Sequence, residues 1–136
     1  MSAPEWQLLL ADSQFLGELY EGSAPAREAC ELSYVHLDER GDSVTLGFDT
    51  GHLPSRPDQG WHERPYNRFE FYLLFSGVTD FQVNGWTDSE AREVNIRAKP
   101  EALISVSLGH EGSGIDFRAS SMRLAHVRVY LAAEGS

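Results

Sequence analysis

Cysteine is almost missing from this chain: Cys30 is the only one in 136 residues. A lone thiol cannot close an intramolecular disulfide, and it implies a reducing compartment, the cytoplasm of a bacterial-type cell. Long hydrophobic runs are missing too. Stretches such as Phe71 to Phe75 stop far short of the roughly 20 residues a membrane span needs. The opening MSAPEWQLLLADSQ has no basic region ahead of its leucines, so it does not read as a signal peptide. Basic residues are scarce, 11 against 21 acidic ones, for a formal net charge of −10. A field of that sign repels nucleic acid and anionic membranes and attracts cationic partners. Repeats, low-complexity segments and linkers are absent, and the length suits one domain spanning 1–136.

What the chain does have is period-two patterning. The segment WHERPYNRFEFYLLFSGVTDFQVNGW, residues 61–86, reads as two strands joined by a turn at Ser76-Gly77. Phe69, Phe71, Leu73 and Phe75 recur at every second position and so share one face. Phe81, Val83 and Gly85 begin a second alternation that ends at Trp86. Upstream, ELSYVHLD alternates Val35 and Leu37 against Tyr34 and His36. A turn at residues 39–42 then leads to Val44, Leu46 and Phe48, which makes a hairpin. Further strands are expected over 93–98 and 102–108 around Lys99-Pro100, over 115–118, and over 124–132 with Val127, Val129 and Leu131 on one face. Helical spacing is confined to the start. Asp12-Ser13 is placed to cap a helix carrying Phe15, Leu16, Leu19 and Tyr20, ended by Gly22 and Pro25, and a shorter helix over 5–10 precedes it. The expected fold is α+β: an N-terminal helical segment packed on a mostly antiparallel, meandering sheet of about seven or eight strands.

Chemistry is hard to find in these residues. The five histidines are never spaced as paired metal ligands. His36, Asp38 and Ser43 could be assembled into a triad across the first hairpin, but same-face pairs about 7 Å apart are common in any sheet. The glycines of GHEGSG, residues 109–114, do not join a strand to a helix, so a phosphate-binding loop fails on context, and a hairpin loop with positive-φ positions explains them. No catalytic group, metal or cofactor is expected. Trp61 is either packed beneath the loop of residues 50–65, rich in proline and glycine, or exposed as part of a binding surface.

The features in order resemble a known family. These are the N-terminal Phe15-Leu16 and Leu19-Tyr20 pairs, CELSYVHLDERGDSVTLGFDT, the Leu53-Pro54 loop, and YNRFEFYLLFSGVTDFQVNGW with its Val83-Asn84-Gly85-Trp86 ending. Over roughly residues 6–90 they are similar to the Imm50-type immunity proteins, small bacterial proteins encoded beside polymorphic toxins, while the later strands agree in pattern. That resemblance implies binding and neutralising a cognate toxin domain, without catalysis or cofactor. The acidic charge would suit a basic toxin. Loops carry recognition on rigid sheets, which singles out Asp58, Trp61, His62 and Glu63, with Asp38 and Glu39 at the first hairpin turn and Asp88 and Glu90 after Trp86. The runner-up is a small-molecule-binding or enzymatic β-rich domain with a pocket near Trp61, Tyr66 and Trp86.

Overall fold

A computed structural model of the chain describes residues 5–11, 14–20, 25, 29–38, 42–56, 61, 65–84, 94–109 and 114–131. Among the described residues, two short α-helices, α1 (Glu5–Leu8) and α2 (Gln14–Leu19), precede eight strands. The strands are β1 (Glu31–Asp38), β2 (Ser43–Thr50), β3 (Arg68–Ser76), β4 (Thr79–Asn84), β5 (Val94–Lys99), β6 (Leu103–Leu108), β7 (Gly114–Ala119) and β8 (Ser121–Tyr130). The strand count and antiparallel pairing match the expectation. The single meandering sheet does not, because the strands form two four-stranded sheets ordered β1-β2-β3-β8 and β4-β7-β6-β5.

The difference arises at Ser76-Gly77. This break is not a hairpin turn: β3 pairs with β2 and β8, and β4 pairs with β7. Ser76 lies opposite Ser121 in the first sheet, and Thr79 lies opposite Arg118 in the second. The consecutive strands β3-β4 and β7-β8 therefore form one long antiparallel ribbon that bends from sheet to sheet. Ser120 fastens the bend, its backbone N–H and its hydroxyl donating to the Ser76 carbonyl at 2.9 and 3.1 Å. Gly77 has φ +66, and a Cβ there would collide with the Ser120 side chain, so the corner needs glycine. A strand-turn-strand pattern in sequence is the same for a hairpin and for a bent ribbon. Only the distant partner distinguishes them.

The core lies between the sheets. Phe69, Phe71, Leu73 and Phe75 are 0–2% exposed, as their shared face requires. Phe75 meets Phe117 of β7 edge-on at 5.5 Å, and Phe71 stacks on Phe48 at 5.5 Å and on Trp6 of α1 at 5.2 Å. Leu16, Leu19 and Tyr20 are buried, whereas Phe15 is exposed and turns away from the core. The helical part is smaller than expected, four and six residues, and the proposed cap at Asp12-Ser13 lies outside the described residues. Leu131 also departs from expectation. It follows the end of β8 and is exposed rather than sharing the face of Val127 and Val129. Gly109 and Gly114 do adopt positive φ, 97 and 105, at the ends of the glycine-rich loop.

Candidate functional site

On the outer side of the first sheet, the residues that alternate with the core positions are rich in tyrosine, arginine and histidine. Register places Tyr34 of β1 and Tyr72 of β3 on either side of Gly47 in β2. The two rings meet edge-on at 5.5 Å. Tyr34 also stacks on His36 at 6.2 Å, and Tyr72 packs against His126 of β8 at 5.9 Å. The aromatic row His36–Tyr34–Tyr72–His126 thus crosses the whole sheet. Gly47 makes this crossing: a Cβ there would lie 2.7 Å from the Tyr72 ring and 2.8 Å from the Tyr34 Cβ.

Two carboxylates fix this face from below. Glu70 is 6% exposed and accepts hydrogen bonds from Tyr72 Oη at 2.7 Å and Arg128 Nε at 2.5 Å. Asp49 is 7% exposed and accepts from Arg68 Nε at 2.5 Å and from the Tyr130 hydroxyl. The Arg128 guanidinium in turn lies over the Tyr130 ring, 4.9 Å from its centre. Burial opposes charge on Glu70, but the bonds from Arg128 and Tyr72 outweigh it and hold the carboxyl below the usual glutamate range. The same bond to Glu70, with burial, raises Tyr72, and the bond to Asp49, with burial, raises Tyr130. Both phenols therefore stay protonated as donors, and Glu70 stays ionised as an acceptor. Groups locked in this way are suited to recognition, because their side-chain entropy is already spent before a partner arrives. Tyr and Arg are also the residues that dominate interface energetics.

Of the sequence-derived candidates, Asp38 and Trp61 are among the described residues. Asp58, His62, Glu63, Glu39, Asp88 and Glu90 lie outside the described residues, as does Trp86. Trp61 is half-buried and packs on Phe69 with ring centres 5.9 Å apart, which favours the packed reading of this residue. Phe69 also takes the edge of Tyr20 at 5.7 Å, and the Tyr20 hydroxyl donates to the His52 carbonyl at 2.6 Å. Arg56 N–H donates to the Leu19 carbonyl at 2.9 Å, so this loop is tied at two points to the last residue of α2 and the one after it. Of the conjectured triad, Asp38 and Ser43 are register partners, while His36 stands opposite Thr45 and stacks on Tyr34. Among the described residues, no three His, Cys, Asp or Glu side chains gather as a metal-ligating group, and no helix is long and apolar enough to cross a membrane.

Residues 12–130 match the family model described as Immunity protein 50, Imm50. The chain belongs to the Imm50 family. No curated protein and no solved structure matches it. The Imm50 match reaches through β8, so it includes both tyrosine–carboxylate–arginine networks of the outer face. The sequence did hold a signal for that face: the alternate positions of four strands carry Tyr34 and His36, Asp49, Arg68, Glu70 and Tyr72, and His126, Arg128 and Tyr130. Recognising it required knowing that β8 lies beside β3.

Proposed function

We propose that this Imm50 protein binds a cognate toxin domain in an equimolar complex and neutralises it by occlusion, without catalysis or cofactor. Family membership supports the immunity role, and the observation that carries the binding mode is the pre-ordered face of Tyr34, Tyr72, Tyr130, Arg68 and Arg128. The net charge of −10 favours a basic toxin by steering its approach. Asp58 and Glu63 of the loop before β3, with Asp38, Glu39, Asp88 and Glu90, contribute to that field, His62 adds a polar contact beside them, and Trp61 supports the loop from beneath. The complex forms in the cytoplasm of the producing cell.

The test is co-expression with the toxin domain encoded by the neighbouring gene, followed by rate measurements. Tyr34→Ala and Arg128→Ala are expected to speed dissociation. Asp58→Asn and Glu63→Gln are expected to slow association and flatten its salt dependence. If folded wild-type protein forms no complex with that toxin, the proposal is wrong. If the face variants bind like wild type, this face is not the contact surface.

A further inference from the structure

β1 is an edge strand. Among the described residues it pairs with β2 alone, over eight residues from Glu31 to Asp38. Edges of this length are usually blunted by proline, lysine, an inward charge or a bulge. The segment ELSYVHLD has no proline, lysine or inward charge between its acidic ends, and its single bulge, between Leu32 and Tyr34, leaves the run from Tyr34 to Asp38 regular. Its core-facing side is also incompletely covered. Leu37 lies opposite the fully buried Val44, yet it is 44% exposed. Across from it, Phe81 of β4, the edge strand of the second sheet, is 38% exposed, and Val83 is 51% exposed. Leu37, Val44, Val78 and Phe81 line a recess of about 240 Å³, with Asp38 and Asp42 at its rim. Among the described residues the sandwich is therefore open along one side, where β1, paired only with β2, runs beside an apolar recess.

Resting on the toxin-binding reading above, we propose that the β1 edge receives an extended segment of the toxin as an added strand. Such a strand satisfies the outward backbone groups of β1 and places alternate side chains on opposite sides. An apolar residue enters the recess against Leu37 and Phe81. Its neighbours point outward beside Tyr34 and His36, continuing the tyrosine face. Glu31 and Asp38 at the strand ends and Asp42 at the recess rim, within a chain of net charge −10, select a segment flanked by Lys or Arg. The same net charge disfavours a second copy of this chain as occupant.

The experiment is amide hydrogen exchange on the complex with the neighbouring toxin domain, together with binding by Leu37→Lys and Phe81→Ala. Slowed exchange across residues 31–38 is expected on complex formation. Leu37→Lys puts a charge at the edge and is expected to weaken binding by about tenfold or more, and Phe81→Ala to weaken it through loss of the recess wall. Both sites are partly exposed, and unchanged urea midpoints establish that the variants are folded. If the complex forms while β1 amides exchange as before and Leu37→Lys binds like wild type, the added strand is refuted and the immunity reading stands. If wild type forms no complex, both fall. If β1 becomes protected in the protein alone as concentration rises, the occupant is a second copy and the proposal is overturned.

Discussion

Gly47→Ala tests the construction of the tyrosine face at its narrowest point. The new methyl carbon would lie 2.7 Å from Tyr72 Cε2 and 2.8 Å from Tyr34 Cβ. Tyr34 Cβ is fixed to the β1 backbone and cannot retreat. The Tyr72 ring can swing only by straining or breaking its 2.7 Å hydrogen bond to Glu70. Overpacking of this kind costs about 1–3 kcal/mol, and replacing glycine returns about 0.4–1 kcal/mol by restricting the unfolded chain. The net destabilisation therefore centres on about 1–2 kcal/mol. With a urea m-value of about 2 kcal/mol/M, the unfolding midpoint falls by about 0.5–1 M. Unfolding followed by tryptophan fluorescence measures it. Combining Gly47→Ala with Tyr72→Ala removes the ring from the clash, so the double variant is expected to lose less than the sum of the singles. An unchanged midpoint for Gly47→Ala, or strictly additive losses in the pair, would refute the packing argument.

Phe71→Ala removes a ring 2% exposed that stacks on both Trp6 and Phe48, and a loss of about 3–5 kcal/mol is expected in the same assay; a near-neutral change would put the core on the wrong face of β3. Glu70 has its folded pKa lowered from the usual 4.5, so the stability it contributes is present above that pH and is lost as pH falls through the folded value. Glu70→Gln should flatten the acid limb of a urea-midpoint profile, and parallel profiles for the two proteins would contradict the network. Trp61→Ala is expected to lower the midpoint as well as speed toxin dissociation, because the indole rests on Phe69. Faster dissociation with an unchanged midpoint would mean that Trp61 contacts the toxin and supports nothing beneath it.

The strands were legible in sequence because half-buried β-structure writes its period directly, as in Phe69, Phe71, Leu73 and Phe75. Local signals also located both short helices and the positive-φ glycines at 109 and 114. Sheet membership was not legible. Ser76-Gly77 carries the composition of a turn, and the contacts that make it a corner come from Ser120, 44 residues away. The candidate face was hidden for the same reason. Glu70 and Arg128 are separated by 58 residues and Asp49 and Tyr130 by 81, so neither pair forms a local motif. Sequence reasoning favoured the acidic loops because loop composition is visible locally, whereas a cross-strand network exists only once the register is known. Leu37 shows a further limit. Its alternation marks it correctly as core-facing, but its exposure depends on where the opposite sheet ends.

Neutralisation by equimolar binding is measured by titrating the activity of the neighbouring toxin domain with purified protein. Activity is expected to fall linearly and vanish at equivalence, the toxin's mass to stay unaltered, and its activity to return after separation from the complex. Loss of toxin activity at substoichiometric protein, or a covalent change in the toxin, would overturn equimolar binding as the mechanism.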